Sequence, residues 1–222
     1  MEAIETYIIH LPNVKESVIT ATNLQKQLTD FNMPSTLFNG IYGPDGVALL
    51  QKENRQVHPI GFKGTRVDNK SKEKMKSPGL IGCFYSHFFL WKKCVELDKP
   101  IIIMEDDNVL TRPFIPVEWQ DVLILVLGHP AKSRYFQHLL KNPTGNPRAI
   151  YYNRSSMPGA CGYALKPCGA KKLVETYKNT YLPADNCINK LIVSIQIHNY
   201  IMGRALVAED GKVSLTRIGY WR

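Results

Sequence analysis

Apolar positions in this chain follow two periods. Tyr7-Ile8-Ile9-His10-Leu11, Ile101-Ile102-Ile103-Met104 and Val122 to Leu127 are short, nearly unbroken apolar runs, and each reads as a buried strand. Between the first two, Val14, Val18, Ala21, Leu24, Leu28 and Phe31 recur at three- and four-residue spacing, which predicts a helix ended by Asn32 and Pro34. Leu80, Cys83, Phe84, His87, Leu90, Trp91 and Cys94 form a second helical stripe, begun at Ser77-Pro78 and stopped by Asp98-Lys99-Pro100. Ser35 to Phe38 reads as a short strand, followed by a loop carrying Gly40, Gly43 and Gly46. Ala149 to Tyr152 and Gly162 to Leu165 read as strands and Cys168 to Tyr177 as a helix. Ala184 to Tyr200 keeps helical spacing through Ile188, Leu191, Ile192 and Ile195. Residues 128–148 read as a loop with one short helix over Arg134 to Lys141. Alternating strands and helices predict the α/β class: a single domain over 1–222, with a mostly parallel central sheet flanked by helices.

Charge changes the reading of the least core-like stretch. Lys plus Arg is 28 and Asp plus Glu 19, a formal net charge of +9 that favours anionic partners. Residues 51–78 hold Lys52, Arg55, Lys63, Arg66, Lys70, Lys72, Lys74 and Lys76 among few large apolar residues, and read as a mobile basic loop. The five cysteines (Cys83, Cys94, Cys161, Cys168, Cys187) are odd in number and form no C-x-x-C pair, so reduced thiols are expected. The acidic start Met1-Glu2-Ala3-Ile4-Glu5 does not read as a signal peptide, and no apolar run approaches the ~18 residues of a membrane span. These features predict a cytoplasmic protein with no transmembrane anchor and no obligate protein partner.

Candidate chemistry begins where the central strand ends. Glu105, Asp106 and Asp107 follow four apolar residues, at the sheet edge where open α/β sheets bind ligands. Three adjacent like charges are costly unless a cation offsets them, and Mn²⁺ or Mg²⁺ takes oxygen ligands and bridges phosphates. A solvated acidic turn is the alternative. Asp185, just ahead of a helical pattern, is either an N-cap or a general base for an acceptor hydroxyl. His87 beside Ser86 lacks a G-x-S-x-G elbow, and no P-loop or G-x-G-x-x-G is present. Gly159-Ala160-Cys161-Gly162 is a small-residue turn, open to a structural reading or to close approach by a sugar or phosphate.

The block Pro78-Gly79-Leu80-Ile81-Gly82-Cys83-Phe84-Tyr85-Ser86-His87, then Trp91, then Ile101 to Asp107, resembles the central motif of glycosyltransferase family 25. Gly159 to Leu165 with Gly169-Ala170-Lys171-Lys172-Leu173, and Pro183-Ala184-Asp185, resemble two later segments of that family. The resemblance implies a GT-A-like fold, a nucleotide-sugar donor (a UDP-sugar) and a divalent metal held by Asp107 and Glu105. It implies catalytic roles for Asp107 and for Asp185 on the acceptor side. Donor contacts are implied for Glu105, Asp106, Gly82, Ser86, His87, Ile9 and His10. The family's opening strand usually reads I-x-N-L followed by paired arginines, whereas this chain has Ile9-His10-Leu11 and then Lys15-Glu16.

Family members invert the anomeric centre, so the resemblance implies a single displacement. Basic residues of 63–76 are expected to close over the donor phosphates. For the acceptor, the basic charge, the departures in the first strand and the resemblance to small phage-borne members point to 5-hydroxymethylcytosine in phage DNA, with glucose or arabinose transferred. Arg148, Tyr151, Arg154, Arg217, Tyr220, Trp221 and Arg222 are then the candidates for tracking phosphates and stacking a base. A lipopolysaccharide or lipooligosaccharide acceptor, with a galactosyltransferase-like activity, is the alternative. A non-catalytic sugar- or DNA-binding module is the third reading.

Overall fold

A computed structural model of the chain describes residues 3–59, 72–73, 75–127, 145–152 and 161–205. Strand β1 (Thr6–His10) leads into helix α1 (Lys15–Asp30), which buries Ser17, Ala21, Leu24 and Leu28 along one face. The helix ends as the sequence predicts. Asn32 takes φ 56°, its N–H bonds the Thr29 carbonyl, and the Met33 N–H reaches back to Leu28, both at 2.9 Å. These two bonds satisfy carbonyls the last turn would otherwise leave open.

After β2 (Ser35–Asn39) comes a difference. The expected glycine loop is helix α2 (Gly43–Lys52) from its second glycine onward. It packs on α3 (Pro78–Leu97), and glycines mark the crossing. A Cβ on Gly46 would sit 2.9 Å from the Gly82 nitrogen, and one on Gly82 would sit 2.5 Å from the Ile41 carbonyl oxygen. The glycines therefore serve helix-to-backbone contact rather than turns.

Of the basic stretch 51–78, residues 60–71 and 74 lie outside the described residues. Its opening part is built into the fold. Arg55 is buried, paired with Glu53, donating to the Tyr177 carbonyl and lying 4.3 Å from the Phe88 ring centroid. Beside it, β3 (Gln56–Val57) pairs with β9 (Thr180–Tyr181).

The remaining strands are β4 (Ile101–Glu105), β5 (Asn108–Leu110), β6 (Val122–Leu127), β7 (Ala149–Tyr151), β8 (Gly162–Leu165), β10 (Ile195–His198) and β11 (Gly203–Ala205). The main sheet runs β2-β1-β4-β8-β6-β10-β7, with β11 joining β6 to β5. Strands β2, β1 and β4 are parallel, as are β10 and β11 with β6, whereas β8 is antiparallel to both β4 and β6. The α/β, GT-A-like class is as expected, but the sheet is more mixed than strand–helix alternation predicts. One consequence is local: the start of β8 meets the carboxyl end of β4.

Both faces of the sheet are covered. On β4, Ile101 and Ile103 pack with Phe84, Tyr85 and Trp91 of α3, while Ile102 and Met104 pack with Ala21, Leu24 and Leu28 of α1. All four strand residues are fully buried. Two-sided burial is what an unbroken apolar strand requires.

The expected helix over Ala184 to Tyr200 is a correction. Helix α5 spans only Ala184–Cys187, and Ile195–His198 is strand β10 beside β6. Asn189 breaks the helix: its Oδ1 accepts the Leu191 N–H at 3.1 Å and its Nδ2 donates to the Asn186 carbonyl. The β-branched Ile195 and Ile197 then extend and fill the face already lined by Val122 and Ile124. Helix α4 (Pro167–Thr176) matches its expected position, and the short helix expected over Arg134 to Lys141 lies outside the described residues. No described helix is long and apolar enough to cross a membrane, and all five cysteines are free thiols.

Candidate active site

Strands β1 and β4 run parallel in register, Ile9 beside Glu105, so both deliver their carboxyl ends to one edge of the sheet. The chain departs from β1 through α1 to β2 on one side and reaches β4 on the other, the kind of switch point at which open α/β sheets form a ligand crevice. The acidic triplet stands there, and its members have different tasks.

Asp106 is the most committed. Its Oδ2 accepts from the Ser17 hydroxyl and from Thr20 at 3.3 Å, while Ser17 Oγ accepts the Leu11 N–H at 2.8 Å. Burial pushes its carboxyl up to about 6, Ser17 and Thr20 pull it down, and Glu105 adds to the rise. This residue pins the first turn of α1 to the end of β4 through its Oδ2.

Asp107 is different. Its Oδ1 is buried with no hydrogen-bond partner. Burial, then Glu105 and Asp106, holds its carboxyl well above the usual carboxylate range. A sealed, unpaired carboxylate oxygen in a negative field fits a divalent cation, which would relieve both the lost hydration and the repulsion. Asp107 with Glu105 would hold such an ion.

Glu105 is about a quarter exposed. Its Oε1 lies 3.4 Å from His87 Nε2 and 3.8 Å from Cys83 Sγ, and the ligating atoms of these three lie within 4.8 Å of one another. Its backbone is fixed by the start of β8: the Glu105 N–H donates to the Cys161 carbonyl at 2.8 Å, and Asn108 Nδ2 donates to the carbonyls of both Glu105 and Cys161.

Asp185 comes from the other half of the chain and joins them. It sits in the first turn of α5, whose cap position is Pro183, so it is not the N-cap. Burial first, then the charge of Glu105, pushes its carboxyl up to about 6, with His87 acting in the opposite direction. The thiols of Cys83 and Cys161, raised chiefly by burial, both feel Glu105 and Asp185. Glu105, Asp107 and Asp185 therefore form one electrostatic cluster.

Other expected site residues have structural tasks. Gly82 lies in the α2–α3 crossing, and Ser86 Oγ accepts the Ile41 N–H while donating to the Gly82 carbonyl, both at 2.8 Å. Both residues are buried, and their contacts hold the loop between β2 and α2. Ile9 is half-buried, and His10 is buried with Nδ1 unpartnered and its pKa lowered by that burial. Arg148 and Tyr151 are exposed, on and before β7 at the far margin of the sheet. Three strands separate β7 from β4, about 19 Å at ordinary strand spacing. Arg154, Arg217, Tyr220, Trp221 and Arg222 lie outside the described residues, as do Gly159 and Ala160.

Sequence reasoning missed Cys83, Asn108 and Tyr163 as members of this site, and noted Cys161 only as part of a small-residue turn. Cys83 and His87 carried the one usable signal, an i,i+4 pair on a helix facing the central strand.

With this geometry in place, comparison with known proteins is decisive on family. The profile described as "Glycosyltransferase family 25 (LPS biosynthesis protein)" matches residues 3–188. The chain belongs to glycosyltransferase family 25. The matched region contains every described carboxylate of the cluster. Among curated proteins, the chain is 29% identical over 150 residues to "Lipooligosaccharide biosynthesis protein lex-1" of Haemophilus influenzae, covering 60% of this chain and 49% of that protein. It is 30% identical over 136 residues to a second protein of the same organism, described as "Putative glycosyltransferase", covering 60% and 47%. The chain thus spans about half the length of the curated relatives it matches. No solved structure matches it significantly.

Proposed function

We propose that this family 25 member transfers a sugar from a nucleotide-sugar donor, of the UDP-sugar class, to a hydroxyl of a lipooligosaccharide-type saccharide. The observation that carries the reading is that Glu105 and Asp107, at the carboxyl end of β4, share one electrostatic field with Asp185, through the charge of Glu105. Asp185 takes the proton from the acceptor hydroxyl as its oxygen attacks the anomeric carbon. The bond to the nucleotide diphosphate breaks in the same displacement. A divalent cation such as Mn²⁺ or Mg²⁺, when bound, supplies Lewis-acid stabilisation of the leaving diphosphate. Asp107 and Glu105 would hold it through carboxylate oxygens. Asp106, through Ser17 and Thr20, keeps α1 and the strand end rigid, so the acids do not shift as charge moves.

A saccharide acceptor is favoured over DNA on two grounds. The named relative is a lipooligosaccharide biosynthesis protein. The described members of the expected DNA-binding set, Arg148 and Tyr151, stand at the β7 edge of the sheet, with three strands between them and β4. The test is mass spectrometry of truncated lipooligosaccharide and of hydroxymethylated DNA, each incubated with a panel of UDP-sugars and Mn²⁺. Addition of one sugar residue to the lipooligosaccharide is expected. Addition to the DNA alone would overturn the acceptor reading, and no addition to either would overturn the activity.

A further inference from the structure

We infer that Trp91, Tyr163 and His87 form a buried hydrogen-bond relay that aims the Glu105 carboxylate, which makes them positioning residues for the donor side of the site. The inference rests on the proposed sugar transfer for its kinetic consequence, but not for its geometry. One arrangement gives every donor along the chain an acceptor. The Trp91 indole N–H can only donate, and Nε1 lies 2.8 Å from the Tyr163 hydroxyl oxygen. That oxygen therefore accepts from Trp91, and its single hydrogen is left for His87 Nδ1 at 2.9 Å. A neutral imidazole that accepts at Nδ1 carries its proton on Nε2. This nitrogen faces Glu105 Oε1 at 3.4 Å.

Burial makes the assignment rigid. Trp91, Tyr163 and His87 are all fully buried, so no solvent competes for these groups. Trp91 is also wedged against Phe84, Phe88 and Tyr177, which ties the relay to the hydrophobic core. His87 and Tyr163 hold their rings within 14° of parallel. The Cys83 thiol, one turn before His87, points to the same Oε1 at 3.8 Å. Two donors thus converge on one oxygen, which leaves Oε2 as the atom available to the crevice. Groups that orient a site carboxylate through a histidine commonly change its performance strongly when removed.

The first test needs no substrate. In ¹⁵N-imidazole NMR at alkaline pH, where imidazole is neutral, His87 should be the Nε2–H tautomer, assigned by its loss in His87→Gln. In Tyr163→Phe the His87 Nδ1 resonance should move downfield, as an unprotonated nitrogen that no longer accepts a hydrogen bond. An Nδ1–H tautomer in the unaltered protein, or no change in Tyr163→Phe, would overturn the relay. So would a thiolate-to-metal charge-transfer band on adding Co²⁺ that Cys83→Ser abolishes, because His87 Nε2 and Cys83 would then be metal ligands. Kinetics form the second test. Tyr163→Phe should raise the donor KM by about tenfold with a smaller change in kcat, the scale of one lost hydrogen bond. His87→Gln, which keeps a donor toward Glu105, should retain more activity than His87→Leu. Equal loss in both would overturn the positioning role. If no donor or acceptor supports transfer, the functional reading fails while the NMR result still decides the relay.

Discussion

The carboxylates of the site differ by environment, and that difference predicts a pH dependence. Burial and Glu105 raise Asp185 to about 6. A general base must be ionised, so activity is lost as pH falls through that value. We expect kcat/KM to show an acid limb with a midpoint near 6 that disappears in Asp185→Asn; a limb near the ordinary value of about 4 would contradict the assignment. At this scale the sequence was a partial guide. The triplet stood out because three acids follow four apolar residues, and Asp185 stood out through its Pro183-Ala184-Asp185 setting. Their division of labour was hidden. It depends on Ser17 and Thr20, which reach Asp106 from 89 and 86 residues away in the chain. Ser86 and Gly82 make structural contacts that their motif does not announce. A motif marks residues that matter without saying whether they face the ligand or the neighbouring helix.

Among the elements, long periodic segments were legible and glycine-marked ones were not. The α1 and α3 boundaries follow from Asn32, Pro78 and Asp98, whose backbone preferences are local. Helix α2 was concealed because Gly43 and Gly46 look like turn residues, while their reason is the close approach to Gly82. This gives a prediction whose sign separates the two causes. Helix propensity alone would make Gly82→Ala stabilising by about 1 kcal/mol. Contact with the Ile41 carbonyl should instead make it destabilising by about 1–3 kcal/mol. For a chain of this size that is a fall in Tm of several degrees, at about 2–4 °C per kcal/mol. A raised Tm would remove the argument for the crossing. The segment after Asp185 failed for a related reason. Its three- and four-residue spacing is helical, yet the Asn189 turn and the β-branched Ile195 and Ile197 commit it to the sheet.

For the whole molecule, the class of fold was legible and the sheet's pairing was not. Strand–helix alternation is a local pattern, whereas the insertion of β8 antiparallel between β4 and β6 is a long-range event. That insertion shapes the candidate site, because it brings the Cys161 carbonyl to Glu105 and sets Tyr163 against α3. The net charge of +9 drew the acceptor reading toward DNA, but charge speaks to partners in general and not to a site. The β1/β4 edge is more specific, and in this family 25 chain it carries acids to which the proposed sugar transfer assigns roles. The most direct measurement of that claim is nucleoside diphosphate release in the presence of donor, Mn²⁺ and lipooligosaccharide, compared among the unaltered protein, Asp107→Asn and Asp185→Asn. The account predicts acceptor-dependent release that falls by about 100-fold or more in both variants, with the donor Kd kept in Asp185→Asn and weakened in Asp107→Asn. Release by both variants at the unaltered rate would contradict it.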